Sequence, residues 1–176
     1  PPKGYDALRV TTAHEFFHVV QFGYRTLSSQ WLWWTEHSAV WMEERAWDDV
    51  NDYLYYLGYY YQNPTTPLDS NSGTYMYGAA LWAMYLADHY GDDIIRESWE
   101  TFEEAASPGI DDFEAFLPDG LAPALNEFAV WNYFTRFRAN PDFFFRDSDQ
   151  FSYDVDIDFM KNSLPTADSL ATNRLT

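Results

Sequence analysis

His14-Glu15-Phe16-Phe17-His18 decides how this chain is read. Leu8, Val10, Phe17 and Val20 supply an apolar periodicity that predicts a helix to about Tyr24, with Asp6 as its cap. On a helix, positions i and i+4 lie about 40° apart around the axis. Both imidazoles therefore leave the same face, one above the other. Two ring nitrogens so placed can share a zinc ion at about 2.0–2.1 Å each. Glu15 follows the first histidine directly, where it can take a proton from a water at that ion.

The rest of the composition sets limits. With 176 residues, 47% hydrophobic and 20% aromatic, the chain is long and apolar enough for one domain with a sizeable core, and it is not a disordered polymer. It lacks the apolar run of about eighteen residues that a membrane-spanning helix needs. Net charge is −18, and only Lys3 and Lys161 are lysines. Such a surface repels nucleic acid and anionic membrane, which excludes both as partners. Lysine-poor acidity also suits a high-salt setting, where self-repulsion is screened. Cysteine is absent, so a metal must be held by His, Asp or Glu. The chain opens Pro1-Pro2-Lys3-Gly4 with no signal-peptide pattern, and the expectation is a piece of a longer protein.

Further along, Ser28-Ser29 offers a cap for a Trp-rich helix from about Trp31 to Trp47. Asn51 starts a third helix, Asp52 to Tyr61, stopped before Pro64. Residues 62–73 read as loop. Thr74 to Tyr90 reads as helix with Gly91 as its stop, and Asp92 caps the next, to about Ala106. A short helix over Asp112–Leu117 and a last long one from Pro123 to Ala139 complete a mainly α class, a helical bundle over residues 1–140. Residues 141–176 form an irregular acidic extension, packed on the bundle or trailing from it. Within it, Asp154, Asp156 and Asp158 alternate with Val155 and Ile157 as in a short strand; a calcium site there lacks the loop glycine and bidentate glutamate. The tyrosines of Tyr53–Tyr61 have helical spacing, which points to core packing before any ligand platform.

A catalytic zinc needs a third protein ligand and one open position. Glu36 is the best candidate, in Trp33-Trp34-Thr35-Glu36-His37-Ser38-Ala39-Val40-Trp41-Met42-Glu43, with Glu43 and Glu44 as alternatives. The connection before it is long enough for the second helix to return antiparallel to the first. With this glutamate the chain resembles the gluzincins, zinc peptidases of the thermolysin and aminopeptidase N type, whose third ligand is a glutamate on the next helix. Thr35 and Trp41 replace the Asn and Tyr of the aminopeptidase N-like pattern, and seventeen residues separate His18 from Glu36, one fewer than usual. The stretch Ala13–His18 with Gln21-Phe22-Gly23-Tyr24 looks like a family of secreted bacterial metalloproteases of this clan, which implies an extracellular setting. Thr74-Tyr75-Met76-Tyr77-Gly78 resembles the Tyr-x-Lys-Gly motif and implies that Tyr75 stabilises the oxyanion, with Tyr77 its first rival. Val40 stands where thermolysin-like enzymes place a histidine-orienting aspartate; Glu43, two turns beyond Glu36, can make that contact instead. The glycine-rich segment that binds a substrate's amino terminus lies outside this stretch, so endo- and exopeptidase action are not separated.

The resemblance therefore implies a zinc-dependent peptidase acting on a peptide or protein substrate, with His14, His18 and Glu36 on the metal and Glu15 as general base. The competing expectation is a non-catalytic zinc-binding helical module serving a larger assembly. Zinc binding does not need Glu15, and its presence favours the enzyme. His37 and His89 read as surface residues.

Overall fold

Two long helices carry the centre of the fold in the computed structural model, which describes residues 2–26, 28–153 and 155. Helix α1 spans Tyr5–Tyr24 and α2 spans Leu32–Ala46. Contacts pair His14 with Glu43 and Gln21 with Thr35, so the helices run antiparallel. Arg9 clamps their far ends: its guanidinium lies 4.2 Å over the Trp47 ring and bonds Asp49 at 2.7 Å. Helix α1 buries only Val10, His14, Phe17 and Gln21, a stripe with spacings of four and three. Its opposite face leaves Tyr5, Leu8, Phe16, Val19 and Phe22 exposed.

Helix α2 is different. Every residue from Trp33 to Trp41 is buried, because α1 covers one side and later helices the other. The later helices are α3 (Leu57–Tyr61), α4 (Tyr75–Ala79), α5 (Leu81–Tyr90), α6 (Asp93–Glu104) and α7 (Leu121–Tyr133), of which α4, α5 and α6 touch α2. Short 3₁₀ turns form at Asp52–Tyr55, Ile110–Ala115 and Arg136–Arg138, and among the described residues no strand forms. The core is aromatic. Trp34 meets Phe113 edge-on at 4.9 Å, and Trp82, Phe102, Phe128, Tyr60 and Tyr85 fill in around them. A ring system burying 150–250 Å² contributes about 4–6 kcal/mol of transfer free energy before entropic costs. No helix among the described residues is long and apolar enough to cross a membrane.

Local chemistry moves several expected boundaries. Gly4, at φ 63°, enters α1, and Asp6 sits inside its first turn rather than capping it. The expected third helix divides into the 3₁₀ turn and α3, and the fourth divides at Ala80 into α4 and α5. Asp92 stands at the N-cap of α6 as expected, but its side chain makes no cap bond; the carboxylate accepts from Arg45 Nε at 2.9 Å. Gly91 ends α5 as expected, at φ 98°. Helix α7 stops at Tyr133, well short of Ala139, because the Arg136 N–H donates to the Ser148 carbonyl at 2.7 Å. Within the tyrosine run, Tyr53, Leu57 and Tyr60 are core, whereas Tyr55 and Tyr59 are exposed.

Residues 141–153 pack on the bundle, burying Phe145 and Phe151 in its core, and Phe144 stacks on Phe134 at 4.3 Å. Of the alternating aspartates, Asp154, Asp156 and Asp158 lie outside the described residues. Gly78 permits a close approach: a Cβ there would lie 2.5 Å from the Tyr56 carbonyl oxygen. That contact seats α4 on the turn before α3.

Glu44 lines a pocket shared with Arg45, Asp48, Asp88, Arg146 and Asp147. Burial, then the charges of Asp147, Glu43, Asp48 and Asp52, push its carboxyl up to about 9. An acid whose folded value lies above its unfolded one stabilises the fold at low pH, and that stability is lost as pH rises from about 4.5 through 9. Glu44→Gln removes the loss. The variant is expected to match the wild type near pH 4.5 and to exceed it at pH 8 by a few kcal/mol, since every pH unit climbed across that window costs the wild type about 1.4 kcal/mol. Urea unfolding at the two pH values checks this; equal midpoints at pH 8 would refute it.

Candidate metal centre

The stripe that α1 buries ends its histidines against α2. His14 Nε2 lies 3.2 Å from Glu36 Oε2, and His18 Nε2 lies 3.9 Å from Glu36 Oε1. One ligand atom from each of His14, His18 and Glu36 falls within 4.8 Å of the others. A tetrahedral zinc with bonds of 2.0–2.1 Å holds its ligand atoms about 3.3 Å apart. The three side chains therefore suit such an ion after side-chain adjustments of about an ångström. They are the only such group of His, Asp and Glu among the described residues.

Each histidine is oriented from behind. His14 Nδ1 donates to Glu43 Oε1 at 2.6 Å. Glu36 and Glu43 are seven residues apart, so two helical turns return them to one face. His18 Nδ1 donates to Gln21 Oε1 at 2.7 Å. Burial disfavours charge on His14, but hydrogen bonds to Glu36 and Glu43 outweigh it and push the ring up to about 9. A place that holds a proton this firmly between two carboxylates favours positive charge.

Glu15, next in sequence to His14, is exposed. Tyr77 approaches the cluster from α4, its ring centroid 6.2 Å from that of His14. Burial and then the nearby charge of Glu36 push the phenol up to about 12, with Glu15 adding to the effect.

Three expectations are corrected. Tyr75 does not open onto the cluster: its hydroxyl donates to the Thr66 carbonyl at 2.8 Å, and its ring packs on Tyr60. Residues two apart on a helix point about 200° apart, so Tyr75 and Tyr77 cannot share a face. Glu44, an alternative ligand, lines the pocket described above instead. His37 is fully buried; burial lowers its ring to about 3, and neither nitrogen finds a hydrogen-bond partner among the described residues. It packs edge-on against Trp33 at 5.3 Å. His89 is exposed, as its sequence context implies.

Gln21 is part of the stretch that resembles secreted metalloproteases, but nothing in that resemblance gives it a role. The available signal is a polar residue, seven after His14 and three after His18, on a stripe otherwise shared with Val10 and Phe17. Val40 is buried and apolar, and Glu43 makes the contact to His14. Compared with family models, curated proteins and solved structures, the chain has no match.

Proposed function

We propose that this chain is a zinc-dependent peptidase of gluzincin type, with its catalytic unit in residues 1–140. The observation that carries the reading is the convergence of His14, His18 and Glu36 from two antiparallel helices, with the exposed Glu15 next in sequence to His14. His14, His18 and Glu36 would hold the ion. Zinc supplies Lewis acidity there, polarising a carbonyl and making a water acidic.

Glu15 would serve as the base, taking a proton from the attacking water as its oxygen adds to the carbonyl carbon of a peptide bond. As the C–N bond breaks, the same carboxyl returns the proton to the departing amine, so one water is consumed per bond cut. Tyr77 keeps its hydroxyl hydrogen through burial and the charge of Glu36, and donates it to the oxygen that gains negative charge. Glu43 fixes the His14 ring. The substrate is a peptide or protein segment, met in an extracellular setting.

The test is elemental analysis of the purified chain, in its natural length, followed by peptide hydrolysis. One zinc per chain and cleavage abolished by a chelator and restored by zinc are expected. Zinc without cleavage would leave the non-catalytic module. Absence of zinc uptake would defeat both.

A further inference from the structure

We propose that Gln21 is a positioning residue that holds His18 in its Nδ1–H tautomer, so that this histidine presents a bare Nε2 lone pair to the centre. The proton inventory around it is closed. Gln21 Nε2 lies 2.9 Å from the Thr35 carbonyl oxygen and 3.1 Å from Ser38 Oγ. A carbonyl only accepts, which fixes the amino end of the amide on that side. Ser38 spends its own hydrogen on the Trp34 carbonyl at 2.7 Å. Its oxygen is then free to accept, from Gln21 and from the Trp99 indole N–H at 3.2 Å, a group that can only donate.

Both amide hydrogens of Gln21 are thus used, and its oxygen is left facing His18 Nδ1 at 2.7 Å. An amide oxygen accepts, so Nδ1 carries the hydrogen, and in a neutral ring Nε2 is the lone pair. Gln21 and Ser38 are both fully buried, so water does not compete for these bonds. Donation runs from His18 on α1 through Gln21 to Ser38 on α2, where the Trp99 indole of α6 joins it, and ends on the Trp34 carbonyl.

What this does for a metal rests on the zinc reading above; the tautomer does not. Glu36 and Glu43 already match the two charges of a zinc ion. A second carboxylate behind His18 would overcompensate that charge and blunt the ion's pull on a carbonyl. A glutamine supplies the same acceptor geometry and adds no charge.

The test uses Gln21→Met, similar in length but without an acceptor, and Gln21→Glu, which restores one. Nitrogen-15 imidazole spectra at pH 8 should show His18 as Nδ1–H in the wild type and in Gln21→Glu. Gln21→Met should populate the Nε2–H form. Zinc affinity, measured by competition with a chromophoric chelator, should fall about 10–100-fold in Gln21→Met and recover at least in part in Gln21→Glu. A wild-type His18 carrying its hydrogen on Nε2 would overturn the proposal. So would Gln21→Met with unchanged tautomer and affinity. If the wild type takes up no zinc, the peptidase reading falls while the spectra still decide the role of Gln21.

Discussion

Glu15→Gln is expected to lower peptide turnover at least about a hundredfold while zinc content stays at one per chain. General acid–base catalysis contributes 10²–10⁴-fold, and the substitution removes the proton acceptor without changing shape. Glu15 is exposed on the outer flank of α1, away from the stripe that packs on α2. The substitution therefore leaves the packing of the fold intact, and unchanged thermal unfolding would verify that. Tyr77→Phe should also reduce turnover, by about tenfold or more, whereas Tyr75→Phe should affect stability alone. Unimpaired turnover in Glu15→Gln, with zinc bound, would refute the mechanism and leave the metal site standing.

His18→Ala is expected to weaken zinc at least about a hundredfold, read by chelator competition, and to abolish cleavage. Apparent zinc affinities of about 10–16 kcal/mol are shared among a few ligands, so losing one of three removes several kcal/mol. His18 is the cleaner of the two histidines to delete. Removing His14 would strand the buried carboxylates of Glu36 and Glu43 without their donor, a destabilisation unrelated to metal. Glu36→Gln should behave like His18→Ala. Glu43→Gln should cost only about 10–100-fold, because it touches the ring and not the ion. A reversal of these two would make Glu43 the ligand.

The parts legible in the sequence are those where helical periodicity turns spacing into direction. His14 and His18, four apart, and Glu36 and Glu43, seven apart, each had to share a face once their helices formed. The antiparallel return then brought the faces together. Periodicity failed where another segment sets the rotation. Helix α4 has only five residues, and the seating of Gly78 on Tyr56 decides which of its tyrosines turns inward. His37 reads as solvent-facing because it is polar, yet α2 is covered on every side along that stretch and offers no face to water. The role of Gln21 depends on Thr35 and Ser38 of α2 and Trp99 of α6, neighbours that no local pattern reveals. Helix α7 ends early for the same reason, through a bond to Ser148.

For a lineage drifting under mutation, the approach of α4 to Tyr56 is a narrow passage. Even one methyl group at position 78 would press on backbone rather than on a yielding side chain, 2.5 Å from the Tyr56 oxygen and 3.0 Å from the Tyr60 Cβ. Relief must come from lifting α4, and lifting α4 draws the neighbouring Tyr77 away from Glu36. The exposed apolar residues of α1, Tyr5, Leu8, Phe16, Val19 and Phe22, meet no such limit, whereas position 78 tolerates nothing larger than hydrogen without moving α4.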